Sequence, residues 1–164
     1  MSTTERTVLI RARCGEAFAL LSDFRNDIRW RQFIRGVEHS PPGLAWLGTR
    51  VRETVLLFGV PVQSDCEVIE YEQDRWIVTR PVAGKLGLSS RREVTPHGDG
   101  CRCTVVLEFQ PEGMMRLLGG LPLVVLRRRL GADLLRLKET LEHPEDGSRS
   151  ASPDREHSHP GTRM

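Results

Sequence analysis

The chain has 164 residues, of which 38% are hydrophobic and 28% charged, which predicts one soluble domain with a core of its own. Its net charge of +2 is too small to indicate a nucleic-acid partner, and the apolar stretch from Leu117 to Leu126 is too short and too interrupted for a transmembrane segment. No charged and then apolar leader opens the sequence, which favours a cytoplasmic location.

The chain opens with a predicted strand and a pair of short helices. Residues 6–13 alternate well enough for a strand, with Val8 and Ile10 on one face. Residues 14–16 break the strand and residues 17–23 predict a short helix, while Asn26 and Asp27 favour the start of a second one over residues 26–33.

Six more strands separated by tight turns are predicted to follow. Glycines supply the positive φ angles that such turns require, as at Gly59 and in the segment from Pro96 to Gly100. The predicted strands cover residues 37–40, 48–58, 60–71, 75–82, 86–94 and 101–109. Short strands joined by tight turns imply antiparallel pairing.

The last predicted element is a long helix within residues 112–142. Leucines recur there at steps of three and four, which places them on one stripe of the helix. The stripe consists of Leu123, Leu126, Leu130, Leu134, Leu137 and Leu141. Gly119, Gly120 and Pro122 predict a break, with a separate first turn over residues 114–118. From His143 onward the composition is polar, which predicts a disordered tail over residues 143–164.

A leucine stripe of this length needs a large apolar surface to lie on. We therefore predict an α+β domain over residues 1–142, in which a curved seven-stranded antiparallel sheet wraps around the C-terminal helix. Such a sheet does not bring every inward side chain into contact with one helix, so we expect some unfilled interior volume.

The cysteines do not predict a metal site or a disulfide framework. Cys101 and Cys103 are separated by one residue, whereas zinc ligands usually stand further apart and are joined by nearby histidines. We expect reduced, packed thiols, no metal and no cofactor.

Six segments of the chain carry a family resemblance through their order and spacing. They are residues 8–13 before Glu16-Ala17-Phe18, 26–30, 48–53, 68–71, 100–104 and 137–142. Together they resemble the START-like, Bet v 1-like (SRPBCC) superfamily, particularly its bacterial polyketide cyclase/dehydrase and lipid-transport branch. The resemblance covers residues 5–142 and implies a helix-grip fold with a hydrophobic cavity between sheet and helix. Members use that cavity for lipid or isoprenoid carriage, polyketide ring closure, hormone binding or protein partnering.

A set of mainly apolar side chains is predicted to line this cavity. Aromatic residues near its rim are candidates for ligand contact, although such residues more often pack into the core. The predicted ligand-binding residues are Trp30, Phe33, Val51, Glu53, Phe58, Trp76, Val78, Arg80, Leu88, Val105, Leu107, Met114, Leu118 and Leu126.

Two side chains are candidates for proton transfer. His39 is two residues beyond Val37 and either shares its inward direction or lies near solvent at the strand end. Glu53 alternates with apolar neighbours and is either a cavity carboxylate or the partner of an arginine. Arg80 and Arg92 are the arginines that would hold an acidic head group or neutralise Glu53, unless they reach out to water.

Three functions remain open from the sequence. The leading hypothesis is binding or carriage of a hydrophobic small molecule, lipid, isoprenoid or polyketide-like, by a monomer or homodimer. The second is a polyketide cyclase or aromatase using His39 or Glu53, and the third is a protein-partner module with a vestigial cavity. The sequence does not decide whether the protein is an enzyme.

Overall fold

The computed structural model describes residues 2–84, 86–111 and 121–144. A single sheet and a long C-terminal helix account for most of them. In chain order the elements are β1 (Ser2–Ile10), α1 (Cys14–Ser22), a 3-10 turn (Phe24–Asn26), α2 (Asp27–Trp30), β2 (Ile34–Ser40), β3 (Arg50–Leu57), β4 (Val60–Glu72), β5 (Trp76–Gly84), β6 (Leu86–His97), β7 (Gly100–Pro111) and α3 (Leu121–Glu142).

The sheet has seven strands in the order β1-β7-β6-β5-β4-β3-β2, and every neighbouring pair is antiparallel. The predicted architecture is therefore confirmed. β1 begins and ends earlier than predicted because it pairs along the length of β7, from Ser2 opposite Phe109 to Ile10 opposite Cys101. Arg13 precedes α1 as its N-cap residue instead of ending the strand.

Irregular pairing accompanies the curvature of the sheet. The register shifts between Ile34 and Gly36 on β2 and at two places on β4, between Asp65 and Cys66 and between Val68 and Glu70. Such bulges bend a strand and increase its twist. They leave a concave face on which α2 and α3 lie.

Helix α3 presents its leucine stripe to the interior from Leu126 onward, as predicted. Leu130, Leu134 and Leu137 are buried, while Leu126 and Leu141 are partly buried against the same core. The predicted break at Gly119 and Gly120, the turn over residues 114–118 and the tail from residue 145 lie outside the described residues. None of the described helices is long and apolar enough to span a membrane.

One half of the interior is packed with apolar side chains under α1, which lies against β5, β6 and β7. We call this half the α1 core. Its members are Ala17, Phe18, Leu21, Ile77, Val94, Cys101 and Cys103. Phe18 and Cys103 are almost completely buried, and the four cysteines of the chain are free thiols.

Candidate ligand-binding recess

A recess lies between the concave face of the sheet, α2 and α3. Its volume is about 40 Å³, and a buried water needs roughly 10–15 Å³ of such space, so it has room for a few water molecules. The wall is mainly apolar, with charged groups at a few points. The lining residues are Trp30, Arg31, Phe33, Ile34, Val55, Arg92, Val105, Leu107, Leu126, Arg129, Leu130 and Asp133.

A second, smaller cavity of about 10 Å³ lies deeper between β3, β4, β5 and β6. Arg31 and Leu107 line both spaces and so form the partition between them. The other lining residues are Phe24, Val51, Glu53, Ser64, Cys66, Thr79, Leu88 and Ser90. The Thr79 and Ser90 hydroxyls are 2.9 Å apart and hydrogen-bond to each other, which satisfies two polar groups in this buried position.

A buried ion cluster stands at the junction of the two cavities. It consists of Asp27, Arg31, Glu53 and Arg92. Asp27 receives two hydrogen bonds from Arg92, Nη1 to Oδ1 at 2.8 Å and Nη2 to Oδ2 at 2.6 Å, and a third from Arg31 Nη1 at 2.9 Å. The paired geometry is the strong bidentate form of an arginine–carboxylate contact.

The rest of the cluster adds hydrogen bonds at Nη1 of both arginines. Arg31 Nη1 also contacts Glu53, at 3.1 Å from Oε1 and 3.2 Å from Oε2. Arg92 Nη1 donates to the backbone oxygen of Leu21 at 2.8 Å. Burial opposes the charged form of Arg31, but the carboxylates of Glu53 and Asp27 outweigh it and raise the pKa of that guanidinium. Arg31 is therefore held as a cation by carboxylates of the chain itself.

Asp133 is the charged residue that α3 contributes to the recess. Its side chain is buried, and Oδ1 accepts a hydrogen bond of 3.1 Å from the backbone N–H of Gln32. Burial raises the pKa of Asp133, although the Gln32 hydrogen bond and the charge of Arg31 act in the opposite direction. With its pKa raised, the Asp133 carboxylate is a stronger base than that of an exposed aspartate.

Two buried donors that line the recess have no hydrogen-bond partner among the described residues. They are the indole N–H of Trp30 and the Nε–H of Arg92. The Arg92 guanidinium carbon lies 5.5 Å from the centre of the Trp30 ring, so the two groups are close neighbours. An unsatisfied buried donor costs about 1–3 kcal/mol. These two are the feature of the recess that is least explained by folding alone.

Three partly buried side chains form the mouth of the recess: Phe33, Leu126 and Arg129. The Arg129 guanidinium lies 3.5 Å from the centre of the Phe33 ring, and its Nη1 donates to the backbone oxygen of Leu56 at 3.4 Å. Arg129 thus crosses from α3 to the end of β3. Its neighbours Arg127 and Arg128 are exposed, so the arginine triplet does not form one patch.

The structure brings eight of the predicted ligand-binding residues to the two cavities. Trp30, Phe33, Val105, Leu107 and Leu126 line the recess, and Val51, Glu53, Leu88 and again Leu107 line the deeper cavity. Met114 and Leu118 lie outside the described residues.

Four predicted residues line neither cavity, and their assignment to the interior is corrected. On β5, Ile77 and Thr79 are buried, so Trp76, Val78 and Arg80 belong to the opposite face of the strand. Trp76 lies between the guanidinium groups of Arg75 and Arg91. The same alternation leaves Arg80 exposed, with its Nη2 3.7 Å from Glu67.

The fourth corrected residue is Phe58. It occupies the turn between β3 and β4 with a φ of 50°, and its side chain is 54% exposed. The Phe58 ring was predicted to lie at the rim of the cavity, but it faces solvent.

The two predicted proton-transfer residues differ in position. Glu53 lines the deeper cavity and is paired with Arg31, which is the second of the two interpretations drawn from its sequence position. His39 is buried, but it lines neither cavity. Its Nδ1 is 2.8 Å from the backbone oxygen of Gly43, and its ring lies edge-on to Phe24.

Sequence reasoning missed Arg31 and Asp133 and gave Asp27 only a helix-capping role. Asp133 carries a signal that was available, because it stands three residues after Leu130 and four before Leu137 and therefore falls on the leucine stripe. The pairing of Asp27 with Arg92 leaves no signal in the sequence, since the two residues are far apart in the chain and no local periodicity connects them. Among the described residues no group of histidines, cysteines and carboxylates is placed to hold a metal ion.

The curved sheet, the helix across it and the space between them define a helix-grip protein. The chain belongs to the family described as polyketide cyclase / dehydrase and lipid transport, whose model matches residues 1–142. This places it in the predicted START-like, Bet v 1-like superfamily. A search of curated proteins found no match.

Several solved structures share the fold at low sequence identity. TTHA0849 from Thermus thermophilus has a TM-score of 0.75 and 16% identity, covering 88% of this chain and 99% of that chain. DR_A0006 from Deinococcus radiodurans has a TM-score of 0.64 and 20% identity, covering 86% and 98%. A START superfamily protein from Mycobacterium smegmatis has a TM-score of 0.59 and 20% identity, covering 81% and 98%.

Proposed function

We propose that the protein binds and carries a small hydrophobic molecule, lipid, isoprenoid or polyketide-like, in the recess between the sheet and α3. The observation that carries this proposal is a recess with a mainly apolar wall, two of whose lining residues, Trp30 and Arg92, each hold a buried donor without a partner among the described residues. A few polar groups in an apolar wall are the usual composition of a small-molecule site. Membership of a family that includes lipid transport supports the same conclusion.

Ligand entry requires the recess to widen. Its volume of about 40 Å³ is far below the roughly 300–1,000 Å³ of typical ligand pockets. The side chains that can move at least cost are the partly buried Phe33, Leu126 and Arg129, because they are held by one stacking contact and one long hydrogen bond. We therefore assign the opening to the outward movement of these three.

Native mass spectrometry of freshly purified protein tests the proposal, with a recess-filling variant as the comparison. Val105→Phe places a ring in the recess at a packing cost of about 1–3 kcal/mol, and Val55→Phe does the same from β3. Val78→Phe, on the outer face of β5, is the matched control. We expect one bound hydrophobic molecule in the wild type and in the control, and none in the filling variants once circular dichroism shows them folded.

Two results would contradict carriage. Equal occupancy in the filling variants would place the ligand elsewhere. Absence of any bound molecule, together with co-elution of a protein partner on gel filtration, would favour the partner-module hypothesis.

A cyclase-type enzyme is the second candidate, and Asp133 is the observation that favours it. Asp133 lines the recess and has a raised pKa, so it is better placed for proton transfer than His39. With a polyketide-like substrate, an enzyme should lose turnover and keep binding in Asp133→Asn. His39→Gln should leave both binding and turnover within about threefold, because that ring lines neither cavity.

A further inference from the structure

The buried charges of the recess and its partition do not favour an anionic ligand. Asp27, Glu53 and Asp133 are three carboxyl groups, and Arg31 and Arg92 are the two guanidinium groups facing them. When all are ionised the sum is one negative charge, and when Asp133 is protonated the sum is zero. In neither state does the floor of the recess offer a net positive potential.

Arg92 is also occupied at both terminal nitrogens, and Arg31 at one of them. Arg92 directs Nη1 and Nη2 to Asp27 and to the backbone of Leu21, and Arg31 directs Nη1 to Asp27 and Glu53. A carboxylate that paired with Nη1 and Nη2 of Arg92 would have to displace Asp27 from them. Displacement would leave that carboxylate buried and unpaired, which is strongly unfavourable.

Two lining residues of the recess do offer hydrogen-bond donors, and the charge of the one arginine among them is already paired with Asp27. Within the part of the chain that the structure describes, the indole N–H of Trp30 and the Nε–H of Arg92 have no partner, and both side chains are more than nine-tenths buried. Each would be satisfied by an oxygen that accepts a hydrogen bond. The surrounding Ile34, Val105 and Leu107 suit an apolar chain attached to that oxygen.

We infer that the ligand is a hydrophobic molecule with an uncharged, carbonyl-type oxygen at its polar end, which accepts from Trp30 Nε1 and Arg92 Nε, and that carboxylates are discriminated against. This inference rests on the proposed function and specifies its ligand class. Of the roles left open for Arg92, Asp27 takes the place of an acidic head group, and Nη2 also lies 4.0 Å from Glu53 Oε1.

Arg129 is the remaining cation near the path of entry. It lies at the mouth, stacked on Phe33 and bonded to the backbone of Leu56, and not at the floor. A carboxylate that bound with its head at Arg129 and its chain inside would contradict the inference. The test therefore includes a variant of this residue.

The test is a calorimetric titration of the full chain at neutral pH with three probes: methyl hexyl ketone, octanoate and toluene. The ketone and octanoate have matched chains and differ in the charge of their polar ends. We expect the ketone to bind at least about tenfold more tightly than octanoate. In Trp30→Phe the ketone should lose about tenfold in affinity while toluene, which needs no donor, changes by less than about twofold. Trp76→Phe, on the outer face, is the control and should change neither.

The outcomes separate the ligand class from the function. If octanoate binds as tightly as the ketone, the inference is overturned while carriage stands. If Arg129→Gln then weakens octanoate binding selectively, the carboxylate is bound at Arg129, which overturns the inference in the same way. If Trp30→Phe weakens ketone and toluene alike, Trp30 acts through packing alone and the donor role is overturned. If none of the three probes binds, the proposed function itself fails.

Discussion

The interior of this protein has two halves that are built on opposite principles. Under α1, Phe18, Ile77 and Cys103 pack as a solid apolar mass with almost no exposure. Beside α2, the described part of the interior contains a buried ion cluster, two small cavities and donors without a partner among the described residues. The first half is apolar throughout, and the second keeps charged groups and small empty spaces inside.

Strand β6 shows how the two halves are joined. Its inward residues are Leu88, Ser90, Arg92 and Val94, all buried. Leu88 and Ser90 line the deeper cavity, Arg92 belongs to the ion cluster, and Val94 belongs to the α1 core. One strand thus runs from the deeper cavity to the α1 core within a few residues. The Arg92 guanidinium lies buried between them because Asp27 pairs with it.

The comparison predicts first that truncation in the α1 core costs much more than truncation at the mouth of the recess. Phe18→Ala should lower the free energy of unfolding by about 3–5 kcal/mol, since it leaves a cavity in a tightly packed region. Leu126→Ala, at a partly buried position, should cost less than about 2 kcal/mol. Urea denaturation measures both, and equal losses would show that the two halves are packed alike.

The second prediction concerns the ion cluster. Asp27→Ala should lower the free energy of unfolding by about 3–5 kcal/mol, because Arg92 and Arg31 would keep buried charges without their shared carboxylate. Glu72→Ala removes the exposed partner of Arg75 and should cost at most about 1 kcal/mol. Thermal and chemical unfolding of both variants give the measurement. Losses of similar size in the two variants would mean that leaving the buried arginines without Asp27 costs no more than breaking an exposed ion pair.

A third, smaller effect should appear in the pH dependence of stability. The pKa of Asp133 is raised by burial in the folded state, so its protonated form favours folding, and that contribution is lost as pH rises from 3.8 through the raised value. Asp133→Asn should therefore gain stability relative to the wild type as pH rises across this interval.

Asp23 supplies the control of opposite sign. Burial would raise its pKa, but the hydrogen bonds from the side chain and backbone of Arg25 outweigh burial and lower it. Its contribution is present above 3.8 and is lost as pH falls below that value. Unfolding curves of Asp133→Asn and Asp23→Asn recorded across this range should diverge from the wild type in opposite directions. Parallel curves would contradict the assignment.

The smallest expected effect is on thiol reactivity. Cys14 is partly exposed, whereas Cys66, Cys101 and Cys103 are buried. Burial raises the pKa of the Cys66 thiol to about 11, which suppresses the reactive thiolate. Iodoacetamide should modify Cys14 at least about tenfold faster than the other three in native protein, and mass spectrometry of the peptides reads the order. Fast labelling of Cys103 would show that the α1 core opens readily.

Local patterns in the sequence were sufficient for the architecture. The leucine spacing of α3 and the turn residues before Gly100 predicted elements that the structure contains, because periodicity and positive φ are properties of neighbouring residues. Which alternate side chains of β5 face the interior was not predictable in the same way. Trp76, Ile77 and Val78 are three successive apolar residues, so no alternation shows which of them faces inward.

The site was less accessible to sequence reasoning for a different physical reason. Asp27, Arg31, Glu53 and Arg92 meet only after the sheet has curved and α2 has packed on it. Asp27 and Arg31 look like ordinary surface charges in their own neighbourhoods, and the alternation around Glu53 indicates its direction but not its partner. Asp133 carries a clearer local signal, since an acid on a leucine stripe is an anomaly that marks a buried polar site.

The placement of the three tryptophans gives the protein a built-in optical probe. Trp30 is 1% exposed on the wall of the recess, Trp46 is 63% exposed, and Trp76 lies between two guanidinium groups on the outer face of the sheet. Replacing Trp46 and Trp76 by phenylalanine leaves Trp30 as the single tryptophan, whose fluorescence can be excited selectively. The wavelength of its fluorescence then reports directly whether water or an organic guest surrounds the indole.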